Sequence, residues 1–502
     1  MRNLLVRRPD FIVLLLTGYF LLEFAVRMSM PDGLRYDEAQ QAFFSQWLAL
    51  GYDSQPPLYN WFQAAVVSVF DLSMTTIAAV KNLVLLLVYL SYYKLARILL
   101  QDRLFAVIAT LSLLTIPQLF WEAQRDLTHT VAQMLAINLL LYGIVKTLKA
   151  PSLKSYVVVG LALGLGMLTK YNFALIAVAA LVAVWLHPDG RARIFDRRFL
   201  LSIAIAALLF LPHALWLLDN FAVASGRTLG IMEQDAPNGA LAKLIQGPFK
   251  FLRLAVVIVA PTFVVYAIVF GKSFLRNLRS TTVWTRFFDV IFVTIAVIVL
   301  VLIVAIGMTA LRDRWLLPFL FLVPIYFCLK MQAAGIRPEN FARRFLVVPL
   351  VMMALIPTAL FVRVNFPTLF GSYQAYNVPY ATFAEKVVAE EGKTPGLIMT
   401  NDWLAAGNMR LQMSHTTVMS LFFANLTLDY NWTSEKPVLL VWLSTKDAPP
   451  APSALRQWVG QNLGTQYSGF DARLMAVPYA RGRPDDMQYF GYAWIYPTRP
   501  TN

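Results

Sequence analysis

Two groups of polar residues near the N-terminus flank an apolar stretch, and their types suit acid–base chemistry. Asp37 and Glu38 come directly after the first hydrophobic segment, and Gln55-Pro56-Pro57 and Tyr59 follow about twenty residues later. Carboxylates this close to a bilayer are costly unless they are paired or functional. A carboxylate can also deprotonate a hydroxyl nucleophile as it attacks an activated carbon. Asp37 and Glu38 are therefore candidate catalytic residues, whereas the proline pair predicts a rigid break before a helix that starts near Leu58.

The stretch between these groups predicts a short amphipathic helix in the membrane–water interface. Apolar side chains recur there at helical spacing. They are Ala42, Phe43, Phe44, Trp47, Leu48 and Leu50.

Three further polar groups lie close to the ends of hydrophobic segments. Glu122, Arg125, Asp126 and His129 form the first, Lys170-Tyr171 the second and Arg312-Asp313-Arg314 the third. Arg and Lys can hold a phosphate leaving group, Arg through a planar fork of hydrogen bonds. With Arg35, these residues predict a cavity in which a carboxylate activates a hydroxyl and cations hold a phosphate.

Structural roles are the alternatives for the same residues. The Asp37-Glu38 pair also suits a solvated helix N-terminus, where the helix dipole stabilises negative charge. Arg125 and Asp126 can form a local ion pair, and Lys170 can extend from a helix end towards water. His129 also suits a hydrogen-bonded histidine in the interface.

Composition places the chain in the membrane. Its 502 residues are 58% hydrophobic, with a mean hydropathy of +0.59, and apolar runs of about 20 residues recur. The net charge of +15 comes from Lys and Arg between hydrophobic segments, which indicates a positive-inside bias rather than nucleic-acid binding. The single cysteine, Cys328, excludes an internal disulfide and a cysteine-based zinc site.

The hydrophobic pattern predicts eleven spans. The fifth and sixth are short, and we expect them to form a helical hairpin or one broken helix. The predicted spans are 10–28, 74–94, 104–121, 130–147, 155–169, 172–187, 199–218, 252–271, 288–310, 315–332 and 344–363.

Basic residues in the short loops predict the orientation, because cytoplasmic loops are enriched in Lys and Arg. Six successive segments, from Arg2-Arg8 to Arg343-Arg344, then fall on one side, which places the N-terminus in the cytoplasm. The predicted external segments are 28–73, 122–129, 170–172, 219–251, 311–315 and the tail from 364.

The chain thus predicts two domains, a transmembrane domain at 1–363 and a small external α/β domain at 364–502. Strands are expected at 397–400, 438–443, 474–477 and 489–496, and helices at 383–390 and 454–462, from the patterns of apolar residues.

Several of these motifs together resemble a known family. They are Asp37-Glu38-Ala39, Gly51-Tyr52 followed by Pro56-Pro57-Leu58, Arg125-Asp126, Gly164–Tyr171 (GLGMLTKY) and Arg312–Pro318 (RDRWLLP). Over about residues 1–363 the chain is similar to bacterial dolichyl-phosphate-mannose–protein mannosyltransferase-like enzymes of the GT-C architecture. That group includes the lipid A aminoarabinose transferases and the lipopolysaccharide galacturonic acid transferases.

The resemblance implies a glycosyltransferase of the bacterial inner membrane, with a polyprenyl-phosphate-linked sugar as donor and a periplasmic glycolipid or glycan as acceptor. It implies Asp37 as the base with Glu38 in support, and Asp126 as a second acidic residue. Lys170, Arg312 and Arg314 match positions near the donor phosphate, and Gln55 and Tyr59 join them as candidates. Arg35, Arg125 and Tyr171 are expected to support the site.

One position departs from the family. Aminoarabinose transferases carry Lys before the proline pair and many relatives carry His, whereas this chain has Gln55. Gln can donate a hydrogen bond to a phosphate but supplies no charge, which disfavours an aminoarabinose donor. The resemblance implies no cofactor, although Asp37, Glu38 and Asp126 could together hold a divalent cation.

We therefore expect transfer of one sugar, with inversion, to a lipopolysaccharide core, lipid A or another envelope glycan. The alternatives are a transporter or flippase of lipid-linked glycans, a protein O-glycosyltransferase of the same fold, and a relative that only binds polyprenyl phosphate. Transporters commonly contain internal repeats, and none is visible in this sequence.

Overall fold

The computed structural model describes residues 2–233, 240–306, 310–423, 425–426, 433, 435–447 and 451–496. Their structure is mostly helical, with one small sheet near the C-terminus. The chain divides into two compact units. The first comprises 1–22, 49–59 and 81–356, and the second comprises 23–48, 60–80 and 357–502.

Twenty α-helices of the described ranges precede the C-terminal region, and the boundaries between the units fall within four of them (α2, α4, α5 and α20). The first ten are α1 (Arg2–Arg7), α2 (Ile12–Met28), α3 (Tyr36–Phe44), α4 (Leu58–Phe70), α5 (Met74–Leu99), α6 (Arg103–Leu111), α7 (Ala123–Arg125), α8 (Thr128–Lys149), α9 (Leu153–Met167) and α10 (Phe173–Leu186). The next ten are α11 (Gly190–Ile194), α12 (Arg198–Asp219), α13 (Phe221–Glu233), α14 (Ala240–Phe270), α15 (Lys272–Asn277), α16 (Val283–Ile306), α17 (Asp313–Leu320), α18 (Val323–Ala333), α19 (Glu339–Phe345) and α20 (Val347–Asn365).

Helices occupy most of each of the eleven apolar segments predicted from the sequence, and residues 307–309, near the end of the ninth, lie outside the described residues. Within the described ranges, eight helices are long and apolar enough to cross a membrane, and a bent pair at 103–125 brings the number to as many as nine. The two short segments correspond to α9 and α10, which fall below the length of a full span. The chain is therefore a multi-pass membrane protein, and the count of eleven spans stays a prediction.

The third predicted span is not one straight helix. Between Arg103–Thr115 and Gln118–Arg125 the axis bends by 73°. Pro117 causes the break, because its ring has no N–H to donate and restricts the residue before it to extended backbone. Ile116 accordingly has φ −98° and ψ 110°, and a π-helical turn at Gln118–Glu122 follows.

The two short helices form a pair joined by a turn. A Cβ atom at Gly166, near the end of α9, would lie 2.1 Å from the ring of Phe173 at the start of α10. The absence of a side chain at Gly166 therefore allows the chain to reverse tightly, and Lys170-Tyr171 lies in this turn. Of the two expectations, a helical hairpin describes this pair better than one broken helix.

The segment predicted to be external at 219–251 contains helical residues. Helix α13 occupies Phe221–Glu233, and α14 begins at Ala240 and continues into the hydrophobic segment. Residues 234–239 of this segment lie outside the described residues, and its external location stays a prediction.

The C-terminal part of the second unit contains a five-stranded mixed sheet. Its strands are β1 (Leu397–Thr400), β2 (Thr417–Ser420), β3 (Val438–Ser444), β4 (Arg473–Pro478) and β5 (Met487–Ile495), in the spatial order β2-β1-β3-β5-β4. Strand β1 pairs in parallel with β2 and β3, and β5 pairs antiparallel with β3 and β4. Three helices accompany it: α21 (Tyr380–Glu391), α22 (Trp403–Gln412) and α23 (Ser453–Asn462).

The core on one face of the sheet explains its register. Leu440 and Trp442 of β3 pack with Leu455 and Val459 of α23. Trp442 lies opposite Gly491 of β5, where a Cβ atom would approach the indole to 2.1 Å. The four strands and two helices expected here are confirmed, whereas β2 and α22 were missed.

Candidate active site

Asp37 and Glu38 lie in the first turn of α3 but in different surroundings. Asp37 is half-buried, whereas the Glu38 side chain is 1% exposed. The main-chain N–H of Arg35, the residue before the helix, donates to Glu38 Oε2 at 3.3 Å and so caps the N-terminus. A helix N-terminus stabilises negative charge. Of the two carboxylates, Asp37 is thus the more accessible to a reactant.

Glu38 forms a buried ion pair with Arg27 at the end of α2. Arg27 Nη2 lies 3.3 Å from Glu38 Oε2, and Nε lies 3.4 Å from Oε1. Arg27 also donates to the main-chain oxygens of Pro31 and Gly33, and its guanidinium lies over the ring of Tyr376. These contacts fix the chain between the first apolar helix and α3.

The rest of α3 is buried within the second unit, where it packs against α22. A Cβ atom at Gly407 would lie 1.9 Å from the main-chain oxygen of Ala39, so the two helices touch backbone to backbone. Phe43 stacks on Phe423 with ring centroids 5.4 Å apart. The expected interfacial helix is thus corrected: α3 ends at Phe44, and every residue from Glu38 to Phe44 is buried in protein.

The remaining candidate residues lie in the first unit. Asp126 is half-buried between α7 and α8, with its main-chain N–H donating to Glu122 at 2.7 Å. The next residue, Leu127, has φ +72°, which is uncommon for a residue with a side chain and costs energy. This strained backbone immediately follows the candidate carboxylate. Arg125 pairs locally with Glu122 at 3.4 Å.

Lys170 is buried in the turn between α9 and α10, where it joins three segments. Its Nζ donates to Thr130 Oγ1 at 3.0 Å and to the main-chain oxygen of Arg314 at 3.3 Å. Nearby, Asn172 donates to the main-chain oxygen of Trp315 at 3.1 Å. The turn therefore brings the Lys170 ammonium next to the main chain at Arg314.

Tyr171 contacts His213 of α12. The Tyr171 hydroxyl lies 3.2 Å from His213 Nε2, and the Nδ1 atom lies 2.7 Å from the main-chain oxygen of Leu50. A carbonyl can only accept, so Nδ1 carries the hydrogen and Nε2 accepts from the tyrosine. His213 thereby holds the segment that leads to Gln55.

Helix α4 begins at Leu58, directly after the proline pair that follows Gln55, as predicted. The main-chain N–H of Leu58 donates to Leu168 at 3.0 Å, which fixes this turn against the end of α9. Tyr59 is buried near His129, with ring centroids 6.0 Å apart. Among the described residues, the buried Gln55 Oε1 has no hydrogen-bond partner.

Arg312 and Arg314 belong to a group of cations. The pKa of Arg312 is lowered, first by burial and then by the charges of Arg314 and Arg227, while Asp313 opposes the shift. Within the described ranges, the guanidinium of Arg312 takes part in no ion pair. Asp313 and the Asp53 partner of Arg227 offset part of this charge, and a group of cations that stays in excess over its carboxylates favours binding of an anion.

Three residues of these sites were not singled out from the sequence. In the sequence, Arg27 cannot be told from any other basic residue at the end of an apolar helix. Asp53 and Arg227 form an ion pair at 3.0 Å, although they are far apart in sequence. The only signal for Asp53 was its place just before Gln55 and the proline pair.

No group of three or more His, Cys, Asp or Glu side chains within the described part of the chain has the arrangement of a metal site. Both carboxylate oxygens of Glu38 are engaged by Arg27. Asp37, Glu38 and Arg35 belong to the second unit, and the other candidate residues belong to the first.

Two proteins of Rhizobium johnstonii are similar to this chain along almost its whole length. The lipopolysaccharide core galacturonosyltransferase RgtB is 42% identical over 97% of this chain and 98% of its own. The lipopolysaccharide core galacturonosyltransferase RgtA is 38% identical over 96% and 97%.

The fold is similar to that of a solved structure. ArnT from Cupriavidus metallidurans, bound to undecaprenyl phosphate, has a TM-score of 0.59 over 96% of this chain and 97% of its own, at 14% identity. Residues 54–216 match the family described as dolichyl-phosphate-mannose-protein mannosyltransferase. The chain is thus a membrane glycosyltransferase of the GT-C fold, and it belongs to the family of the lipopolysaccharide core galacturonosyltransferases.

Proposed function

We propose that this enzyme transfers one galacturonosyl residue from a polyprenyl phosphate to the lipopolysaccharide core on the periplasmic face of the bacterial inner membrane. The similarity to two core galacturonosyltransferases over almost the whole chain carries this proposal. Positive-inside bias supports a cytoplasmic N-terminus and a periplasmic domain at 364–502.

Asp37 is the proposed base. The acceptor hydroxyl loses its proton to the Asp37 carboxylate as its oxygen attacks the anomeric carbon of the donor. The bond between that carbon and the phosphate oxygen breaks, so the configuration inverts and polyprenyl phosphate leaves. The half-exposed position of Asp37 supports this role, while the ion pair of Glu38 with Arg27 suits a supporting one.

The cations of the first unit are the proposed ligands of the donor. Lys170, Arg312 and Arg314 neutralise the departing phosphate. Positive charges held in place by the protein stabilise the negative charge that develops on the phosphate in the transition state. Arg227 joins them, because its charge acts on Arg312. A galacturonate donor carries a sugar carboxylate besides its phosphate, which suits a site with several cations.

Other predicted residues have assisting roles. Gln55 and Tyr59 border the donor phosphate, and Asp126 supplies a second carboxylate beside a strained backbone. Arg35, Arg125 and Tyr171 position these groups through the cap, ion pair and hydrogen bond described above.

Complementation of a knockout strain tests the proposal. Lipopolysaccharide from cells carrying wild type, Asp37→Asn or Asp32→Asn is compared by mass spectrometry for the galacturonic acid on its core. Asp32 is an exposed carboxylate of the same segment and serves as the matched control. We expect wild type and Asp32→Asn to restore the sugar and Asp37→Asn to fail, with loss of a base costing about 10²–10⁴ in rate.

Different results would favour the alternatives. Full restoration by Asp37→Asn would exclude it as the base and favour a transporter. Unchanged lipopolysaccharide in the knockout, together with loss of sugar from a secreted protein, would identify a protein O-glycosyltransferase.

A further inference from the structure

An apolar cavity of about 250 Å³ lies in the first unit between α8, α9 and α10. Hydrocarbon side chains form most of its wall, among them Leu140, Ile144, Leu163, Ala177 and Leu181. None of the candidate active-site residues lines it. The cavity is therefore separate from the groups assigned to the transfer reaction.

Chain connectivity fixes the end of the helices at which the cavity lies. Its lining runs from the middle of α9 and α10, at Leu163 and Ala177, to the first part of α9 and the last parts of α8 and α10. Arg193 and Ile194 of α11 and Phe199 of α12 complete it at that end. This is the end opposite to the turn that holds Lys170. The fifteen residues of α9 separate the two ends by about 22 Å.

The same end carries a concentration of basic residues. We predicted it to face the cytoplasm because of the positive-inside bias. These residues are Lys146, Lys149, Lys154, Arg191, Arg193, Arg197 and Arg198.

Arg193 lines the cavity, whereas the neighbouring Arg191 and Arg198 do not. Its Nε is buried and, among the described residues, has no hydrogen-bond acceptor. Arg198 is engaged by both carboxylate oxygens of Asp196, and Arg191 lies over the ring of Trp185. A buried donor without an acceptor is costly, more so for a charged group. Arg193 thus places a positive charge and an unsatisfied N–H donor at the edge of a hydrocarbon cavity.

We propose that the cavity holds one acyl chain of an anionic phospholipid of the cytoplasmic leaflet, whose phosphate pairs with Arg193. The hydrocarbon wall fits the chain, and the guanidinium fits the phosphate through charge-assisted hydrogen bonds. The leaflet follows from the proposed orientation. A lipid whose phosphate lies at Lys170 would have its headgroup at the other end of α9, so the donor phosphate is not the anion proposed to pair with Arg193.

Lipid retention by the full-length protein tests this site. The protein is reconstituted in vesicles of phosphatidylglycerol or of phosphatidylcholine, extracted into detergent and analysed by native mass spectrometry. We expect one tightly retained phosphatidylglycerol and no equivalent phosphatidylcholine. Arg193→Gln should weaken retention by about tenfold or more, the effect of losing a charge-assisted hydrogen bond.

Matched variants distinguish the site from general lipid contact. Arg191→Gln removes a charge from the same helix but not from the cavity and should leave retention unchanged. Ala177→Trp should fill the cavity and abolish retention, whereas Ala204→Trp adds the same bulk on an exposed face of α12. Monodisperse elution of each variant shows that it is folded.

Three results would overturn the proposal. The first is equal retention of the two phospholipids by wild type. The second is an equal loss of phosphatidylglycerol retention in Arg193→Gln and in Arg191→Gln. The third is that the lipid retained by wild type and lost by Arg193→Gln proves to be a polyprenyl phosphate.

Discussion

Arg27 and Glu38 form an ion pair that is almost completely withdrawn from water, with side chains 6% and 1% exposed and 3.3 Å between Nη2 and Oε2. The pair connects the end of the first apolar helix to the first turn of α3, one residue from the candidate base. The desolvation of two charges is offset only when further hydrogen bonds satisfy them. The main-chain oxygens of Pro31 and Gly33 and the N–H of Arg35 provide these.

Arg27→Ala should therefore destabilise the enzyme and abolish transfer, because Glu38 is left buried without its cation. Removal of one partner of a buried pair costs about 3–5 kcal/mol. The expected result is a lower thermal midpoint and faster hydrogen exchange in α3. Arg363→Ala, which removes an arginine that binds Ser372 at an exposed position, should have little effect.

A double-mutant cycle separates the pair from its surroundings. Arg27→Met with Glu38→Leu removes both charges and should recover much of the thermal stability lost by Arg27→Ala. Transfer should stay low if the pair positions Asp37. Normal transfer by the double variant would reduce the pair to a structural role.

Lys170→Met tests whether this lysine acts on the donor or only joins helices. Loss of a cation at the phosphate should lower kcat/KM by about 10²-fold or more. Thr130→Val removes the hydrogen bond between Lys170 and Thr130 but keeps the charge, and should cost less than about tenfold. Transfer assays over a range of donor concentration make the comparison. Equal losses in the two variants would assign Lys170 to helix packing alone.

Gly407→Ala should disturb α3 from the opposite helix. The added methyl group would lie 1.9 Å from the main-chain oxygen of Ala39, so α3 and α22 must move apart. Overpacking of this kind costs about 1–3 kcal/mol. Hydrogen exchange should rise in both helices together. Gly469→Ala is the control, since its Cβ would meet no atom within 4 Å, and an unchanged exchange rate in Gly407→Ala would contradict the close contact.

Asp402 should give the second unit a pH-dependent stability. Its side chain accepts a hydrogen bond from Ala405 N at 2.9 Å and caps α22, while burial raises its pKa above the usual carboxyl value. The folded protein thus holds this proton more tightly than the unfolded chain. The stabilisation is complete below the usual carboxyl pKa of about 4 and is lost as pH rises through the raised value.

Two variants at this position test the argument. Asp402→Asn retains the cap without a charge and should flatten this part of the pH profile. Asp402→Ala loses the cap, at a cost of about 1 kcal/mol, and should increase exchange in the first turn of α22 at every pH. Exchange measured at pH 4 to 8 in the full-length protein gives both results. If Asp402→Asn keeps the pH dependence of exchange seen in wild type, that dependence comes from another group.

The sequence determined those features that depend on local pattern. Long apolar runs can be satisfied only by helices in a bilayer, so the helical segments were predicted within a few residues. Short apolar runs likewise located β1, β3, β4 and β5. The order of acidic, proline and basic motifs identified the family and its glycosyltransferase activity, because this combination is not required by membrane folding alone.

Tertiary structure decided the features that depend on contacts between distant residues. Helix α22 and strand β2 carry weak local patterns and are fixed by packing against α3 and β1. A basic residue at a helix end is usually solvated, and only the fold pairs Arg27 with Glu38 and Arg227 with Asp53. Burial and pairing arise from the arrangement of separate elements, which a one-dimensional pattern does not specify.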